Sequence, residues 1–69
     1  MNYNINILFG KTIADIRKKQ GLSQEELAEK CSLHRTYIGA IERGEKSPTL
    51  NTIDRIANGL GIHIKDLFL

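Results

Sequence analysis

The chain has 69 residues, a length that allows one small domain, residues 1–69. Ten Lys and Arg against eight Asp and Glu give a formal net charge of +2, which suits an anionic partner. A single cysteine excludes a disulfide framework, and one cysteine with two histidines, none at ligand spacing, argues against a structural metal. The chain has neither a basic and apolar leader nor a run of ~20 apolar residues, so we expect a soluble, cytoplasmic protein without a cofactor.

Apolar residues recur at intervals of three and four along the chain, and this spacing predicts helices rather than strands. In the first helix the apolar stripe consists of Phe9, Ile13 and Ile16. Basic residues follow, as suits the last turn of a helix, and Gly21 then suits a left-handed cap. We therefore predict helix 1 over about residues 5–20.

Two short helices follow, with a tight connection between them. Ser23 and Glu26 have the spacing of a capping box and start helix 2, which we predict over about residues 24–30. Its apolar face includes Cys31, which we interpret as a buried structural thiol rather than a redox sensor. His34 opens helix 3, predicted over about residues 35–43.

The residue pattern in the last third of the chain predicts a fourth helix and a short closing segment. Thr49 is a suitable cap for helix 4, and Gly61 ends it. Five apolar residues then crowd into the last eight positions: Ile62, Ile64, Leu67, Phe68 and Leu69. A short closing helix of a monomer does not need this much apolar surface, so we predict a homodimer that associates through the region from helix 4 to the C-terminus.

Helices 2 and 3 have the lengths and the short connection of a helix-turn-helix, in which the second helix enters the DNA major groove. At 100° per residue, Ile38 and Ile41 share the inward side of helix 3. The opposite side carries four residues: Thr36, Gly39, Ala40 and Arg43. We expect this side to be exposed to solvent and to face the duplex.

Individual DNA contacts follow from this placement. Arg35 lies at the N-terminal end of helix 3 and can donate two hydrogen bonds to guanine, and Thr36 can bond a base or pack on a thymine methyl group. Gly39 costs about 1 kcal/mol against alanine in a helix, which favours a close backbone approach. The alternatives are an ordinary surface arginine and threonine and a glycine that the helix merely tolerates.

A second set of residues borders the same side and suits the phosphate backbone. Gln24 stands at the first position of helix 2, where free backbone N–H groups and the helix dipole attract an anion. The phosphate-binding set that we predict is Ser23, Gln24, His34, Tyr37, Gly39, Arg43, Lys46 and Ser47. The rim residues of this set have the alternative of simple solvation.

Residues 21–50, GLSQEELAEKCSLHRTYIGAIERGEKSPTL, resemble the lambda-repressor-like helix-turn-helix family of the xenobiotic-response-element and Cro type. The resemblance covers about residues 9–68, and LHRTYIG with IERGEKSPTL is similar to the controller proteins of restriction-modification systems. It implies an all-α, five-helix domain with DNA contacts at Gln24, Arg35, Thr36, Ala40 and Arg43. Ala40 thereby joins Arg35 and Thr36 as a predicted base reader.

The resemblance also implies an ion pair between Arg17 of helix 1 and Glu42 of helix 3, which would hold the recognition helix on the scaffold. The chain departs from the common pattern at Ser32, where glycine is frequent, and at His34, where a serine cap is usual.

The function that these patterns predict is a sequence-specific DNA-binding transcriptional regulator that binds a pseudo-palindromic operator as a dimer. No cluster of acids, nucleophile with a base or cofactor loop is visible, so we predict that the protein is not an enzyme. The alternative is a DNA-binding protein of the antitoxin or phage-repressor type that also binds a protein partner.

Overall fold

Four α-helices and one short 3₁₀ helix follow one another in residues 4–68, the part of the chain that the computed structural model describes. The bounds are Ile5–Lys19 for α1, Gln24–Cys31 for α2, Arg35–Glu42 for α3, Leu50–Leu60 for α4 and Ile64–Phe68 for the 3₁₀ helix. The prediction of an all-helical chain is confirmed for these residues. Each of the first three helices ends within one residue of its predicted end.

The expectation of a fifth α-helix is wrong. The segment after Gly61 forms a 3₁₀ helix of five residues, in which the N–H of Asp66 donates to the carbonyl of His63 at 2.9 Å. A segment this short has too few i→i+4 hydrogen bonds to sustain an α-helix, so the tighter i→i+3 pattern is adopted.

Each α-helix begins at a side-chain cap. The Asn4 Oδ1 accepts from two backbone N–H groups of α1, and Thr49 caps α4. Ser23 and Glu26 form the predicted capping box, with the Ser23 Oγ accepting from Glu26 N at 3.0 Å and the Glu26 carboxylate accepting from Ser23 N at 2.8 Å. The backbone N–H of Ser23 lowers the pKa of Glu26 below its ordinary value. At α3 the cap is the imidazole of His34, whose Nδ1 accepts from Thr36 N at 3.1 Å.

The core lies where α1 packs on α3, α2 packs on α3 and on α4, and the 3₁₀ helix closes one end. Five large aliphatic side chains are fully buried there: Ile13, Leu27, Ile38, Ile41 and Ile56. Glycine allows close contact at the first of these crossings, because a Cβ on Gly10 would overlap the backbone carbonyl of Ile41. Cys31 is buried as predicted, and burial raises the pKa of its thiol.

A buried ion pair joins α1 to α3. Arg17 donates from Nε to Glu42 Oε2 at 2.7 Å and from Nη2 to Glu42 Oε1 at 3.0 Å, and the two side chains are only 10% and 5% exposed. The Arg17 Nη1 also donates to the carbonyl of Leu22 at 2.8 Å. Because each charge is neutralised and hydrogen-bonded, the pair is compatible with its burial.

The connection between α2 and α3 contains a backbone conformation that L-residues disfavour. Ser32 has φ 57° and ψ 42°, the left-handed region, in which glycine is the usual helix-ending residue. Leu33 N donates to the carbonyl of Ala28 at 2.9 Å, and Arg55 Nη2 donates to the carbonyl of Ser32 at 2.6 Å. These bonds hold the turn in place with a serine where glycine would be unstrained.

We expect Ser32→Gly to raise the free energy of unfolding by about 1 kcal/mol, because it removes the Cβ strain of a left-handed residue. Urea denaturation followed by circular dichroism measures the change. Ser32→Ala is the matched control, since it keeps the Cβ and should not stabilise. Equal stabilities of the glycine and alanine variants would contradict the assignment of strain to this position.

We expect Glu42→Ala to lower the free energy of unfolding by about 3 kcal/mol, because it leaves the Arg17 guanidinium buried without its counter-charge. The double variant Arg17→Met with Glu42→Leu should lose less than this single variant, since it removes both charges. A loss from Glu42→Ala of the size measured for an exposed pair, about 0.5 kcal/mol, would show that the burial has no energetic consequence.

Candidate DNA-binding surface

The N-terminal end of α3 is exposed to solvent. Arg35 and Thr36 are its first two residues, and both side chains lie on the surface. Residues 32–34 are the only ones between α2 and α3, so α2 directly precedes this end. This is the helix-turn-helix arrangement in which the first residues of the second helix reach base edges.

The middle of α3 is not exposed, and here the predicted face is wrong for two of its four residues. Thr36 and Arg43 are exposed, whereas Gly39 is buried and Ala40 is only 7% exposed. The reason is that α3 packs against two helices, α1 and α2, so a single inward side does not describe it. The exposed part of α3 is reduced to its first two residues, and Arg43 is exposed directly after its end.

The side chains of Gln24 and Arg43 cover Gly39. An ideal Cβ on Gly39 would lie 3.3 Å from Gln24 Oε1 and 3.1 Å from Arg43 Nη1. The Gln24 Nε2 donates to Glu42 Oε1 at 2.9 Å, so the glutamine amide is anchored on the same carboxylate that binds Arg17. The sequence analysis missed this bond, which joins positions far apart in the chain without any motif that marks it.

Arg43 forms an exposed ion pair with Glu45. Its Nε donates to Glu45 Oε2 at 2.8 Å and its Nη2 donates to Glu45 Oε1 at 3.2 Å, with both side chains more than half exposed. The hydrogen bonds to Arg43 lower the pKa of the Glu45 carboxyl. An exposed pair of this kind contributes little to stability, so the guanidinium is free to exchange its partner for a phosphate. Glu45 was not among the predicted site residues.

The N-caps of α2 and α3 are Ser23 and His34. Since the Nδ1 of His34 accepts a hydrogen bond, its neutral imidazole carries its proton on Nε2, where it can donate to a ligand. Ser23 is exposed, with its hydroxyl oxygen accepting within the capping box. Tyr37 is half-buried and packs on the core, so its ring has a structural role that the sequence analysis did not assign. Lys46 and Ser47 are exposed in the loop after α3.

The apolar C-terminal residues divide into a buried and an exposed set. Leu67 is in the core, so its predicted availability to a partner is wrong, and Ile62 is half-buried against the core. Ile64 and Phe68 are 38% and 54% exposed, and the Phe68 ring stacks on Phe9 with centroids 5.6 Å apart. Leu69 lies outside the described residues.

Two kinds of site are absent from residues 4–68, a membrane-spanning helix and a metal-binding cluster. No helix in this range is both long and apolar enough to cross a membrane. The same range contains no group of three or more His, Cys, Asp or Glu placed to bind a metal ion.

Comparison with known proteins places residues 13–67 in a helix-turn-helix family model. The chain is 48% identical over 68 residues to the control protein C.BamHI of Bacillus amyloliquefaciens, which covers 97% of this chain and 84% of that protein. It is 44% identical over 55 residues to the immunity repressor protein of Bacillus phage phi105, covering 80% of this chain and 38% of the repressor.

Among solved structures, the restriction-modification controller protein C.AhdI from Aeromonas hydrophila superposes with a TM-score of 0.93 at 38% identity, covering 96% of this chain and all of that one. The family model spans most of the residues that the structure describes, including both helices of the motif. The chain therefore belongs to the helix-turn-helix family, and it is a DNA-binding transcriptional regulator rather than an enzyme.

Proposed function

We propose that this regulator acts as a single cytoplasmic domain that binds a pseudo-palindromic operator as a homodimer, in the manner of a restriction-modification controller protein. The observation that carries the proposal is the exposed start of α3, where Arg35 and Thr36 lie on the surface directly after the short connection from the end of α2. The similarity to C.BamHI and to C.AhdI, each over nearly the whole chain, supports the controller role.

In the proposed complex, Arg35 and Thr36 read base edges in the major groove. The guanidinium of Arg35 has the planar geometry that donates to guanine O6 and N7 at once, and Thr36 offers a hydroxyl and a methyl group beside it. Ala40 is not included, because a side chain that is 7% exposed has too little free surface for a base contact.

The phosphate contacts that we propose surround these two readers. Gln24, the Nε2 of His34 and Arg43 supply donors around α3, with Ser23 at the start of α2 and Tyr37 at the margin of the core. Lys46 and Ser47 extend the set into the following loop. These groups bind the sugar-phosphate backbone and orient α3, so they contribute affinity without sequence preference.

Arg35→Ala should weaken binding to the operator by about 1–3 kcal/mol and relax the base preference at one position, because a bidentate base contact is lost. Fluorescence anisotropy with a site recovered by selection from random DNA, and with a scrambled duplex, measures both effects. Arg43→Ala is the matched control, an arginine directly after the end of the same helix. It should weaken both duplexes alike and reduce the salt slope by about one unit. Equal losses from Arg35→Ala on the two duplexes would remove its reading role.

The homodimer that we propose uses the exposed apolar side chains around the stacked pair of Phe9 and Phe68. Ile64 and Phe68 are available on the 3₁₀ helix, and Ile5, one turn before Phe9 on the same side of α1, is also exposed. Two copies related by a two-fold axis would place their α3 helices in major grooves about 34–36 Å apart.

Phe68→Ser should shift the protein toward monomer and weaken operator binding, since it removes an exposed aromatic contact from this surface. Sedimentation equilibrium at a protein concentration on the order of tens of micromolar, with and without DNA, measures the association. Ile7→Ser is the matched control, because Ile7 is as exposed as Phe68 but lies on the side of α1 that faces Gly44. A wild-type protein that is monomeric under all these conditions would exclude the dimer.

The second candidate is a phage repressor, which the similarity to the phi105 immunity repressor favours. The chain spans 38% of that protein, so the similarity concerns the DNA-binding part alone. The adjacent genes distinguish the two roles: a restriction or methylation enzyme indicates a controller, phage genes indicate a repressor, and a small toxin gene indicates an antitoxin.

A further inference from the structure

The surface over Gly39 is formed by two side chains from different helices of the motif. Gln24 reaches it from the first position of α2, and Arg43 reaches it from the end of α3. Their terminal atoms, Gln24 Oε1 and Arg43 Nη1, both lie within 3.3 Å of the point that a Cβ of residue 39 would occupy. The missing side chain of Gly39 therefore leaves the space that the ends of these two side chains approach.

Each of the two side chains is also held by a carboxylate. Glu42 accepts from Gln24 Nε2 at 2.9 Å, and Glu45 accepts from Arg43 Nε at 2.8 Å. The donors that remain for a phosphate are the second Nε2–H of the glutamine and, on the arginine, the Nη1 group and the second N–H of Nη2; the amide oxygen of the glutamine is an acceptor only. Carboxylates thus orient both side chains, whose ends lie over Gly39.

The fold itself gives no reason for a glycine at this position. Residue 39 lies inside α3, where alanine is favoured over glycine, and its φ is not positive. An added Cβ would approach only the ends of two flexible side chains, whereas a Cβ on Gly10 would overlap backbone atoms of Ile41 and Glu42. Gly10 is therefore required by packing, and Gly39 is not.

We propose that Gly39 is a positioning residue for DNA binding: its lack of a Cβ seats Gln24 and Arg43 side by side, so that the two helices of the motif present one joint contact to a phosphate. This inference rests on the proposed function, and it adds a role that Gly39 performs through other side chains rather than by its own backbone. A methyl group here requires the ends of both side chains to shift by a few tenths of an ångström from the positions set by their carboxylates, while no backbone or core atom has to move.

The test is Gly39→Ala in the full chain. We expect the midpoint of thermal unfolding to stay the same or rise, and the affinity for the selected operator to fall about tenfold, because charge-assisted contacts are misplaced. Asn58→Ala is the matched control, an exposed position in α4 that gains helix propensity without approaching the motif. Gly10→Ala is the opposite case and should lower the unfolding midpoint.

Two further measurements separate positioning from direct obstruction of the DNA. In the Gln24→Ala background, Gly39→Ala should cost less affinity than in the wild type, because one of the two displaced groups is already absent. A loss of undiminished size in that background means that the methyl group touches the DNA itself, and this result overturns the inference. Wild-type affinity of Gly39→Ala overturns it as well.

A DNA-free measurement keeps this inference separate from the proposed function. The side-chain amide of Gln24, resolved by ¹⁵N-edited NMR, should have one proton shifted by its bond to Glu42, and Gly39→Ala should move that resonance toward its free value. Unchanged resonances would overturn the positioning role whatever the protein binds. Failure of the wild type to select any DNA sequence would instead refute the proposed function.

Discussion

The carboxylate of Glu42 is the group on which the arrangement of the motif depends. It accepts two hydrogen bonds from Arg17 of α1 and one from Gln24 of α2, and its own backbone belongs to α3. One buried side chain thereby connects the scaffold helix with both helices of the helix-turn-helix. Because the charge is buried, its partners cannot be exchanged for water without a large cost, so the relative placement of the three helices is narrowly determined.

This connection matters most for a chain with a small core. A domain of 69 residues buries a smaller fraction of its surface than a larger domain does, so directional contacts matter more to how its helices are held. Directional hydrogen bonds to a buried charge select one geometry among several of similar apolar burial. The same network that fixes α3 also orients Gln24, so structural support and the candidate contact surface share one carboxylate.

Local signals in the sequence were sufficient for the helices and their caps. The capping box of Ser23 and the periodicity of the isoleucines depend on neighbours within four residues, and the helix ends follow from them. The burial of Gly39 and Ala40 was not predictable in this way, because a helical wheel assumes one buried side and α3 has two packing partners. The bond from Gln24 to Glu42 crosses 18 positions and leaves no trace in local spacing. The 3₁₀ geometry of Ile64–Phe68 likewise has no distinct signal in the local spacing of apolar residues.

The balance of charge on the proposed DNA surface favours discrimination between DNA sequences over affinity for DNA of any sequence. Non-specific binding to DNA depends almost wholly on the neutralisation of phosphate charges. A net charge of +2, with Glu45 beside Arg43, keeps this electrostatic contribution small. The base contacts that we propose for Arg35 would not depend on the net charge, so they would form a larger fraction of the binding free energy on a matching site. A carboxylate next to the arginine proposed to bind phosphate would therefore lower binding to all sequences while it leaves the difference between sequences intact. For a regulator that must find one operator among many competing sites, this difference matters more than the affinity itself.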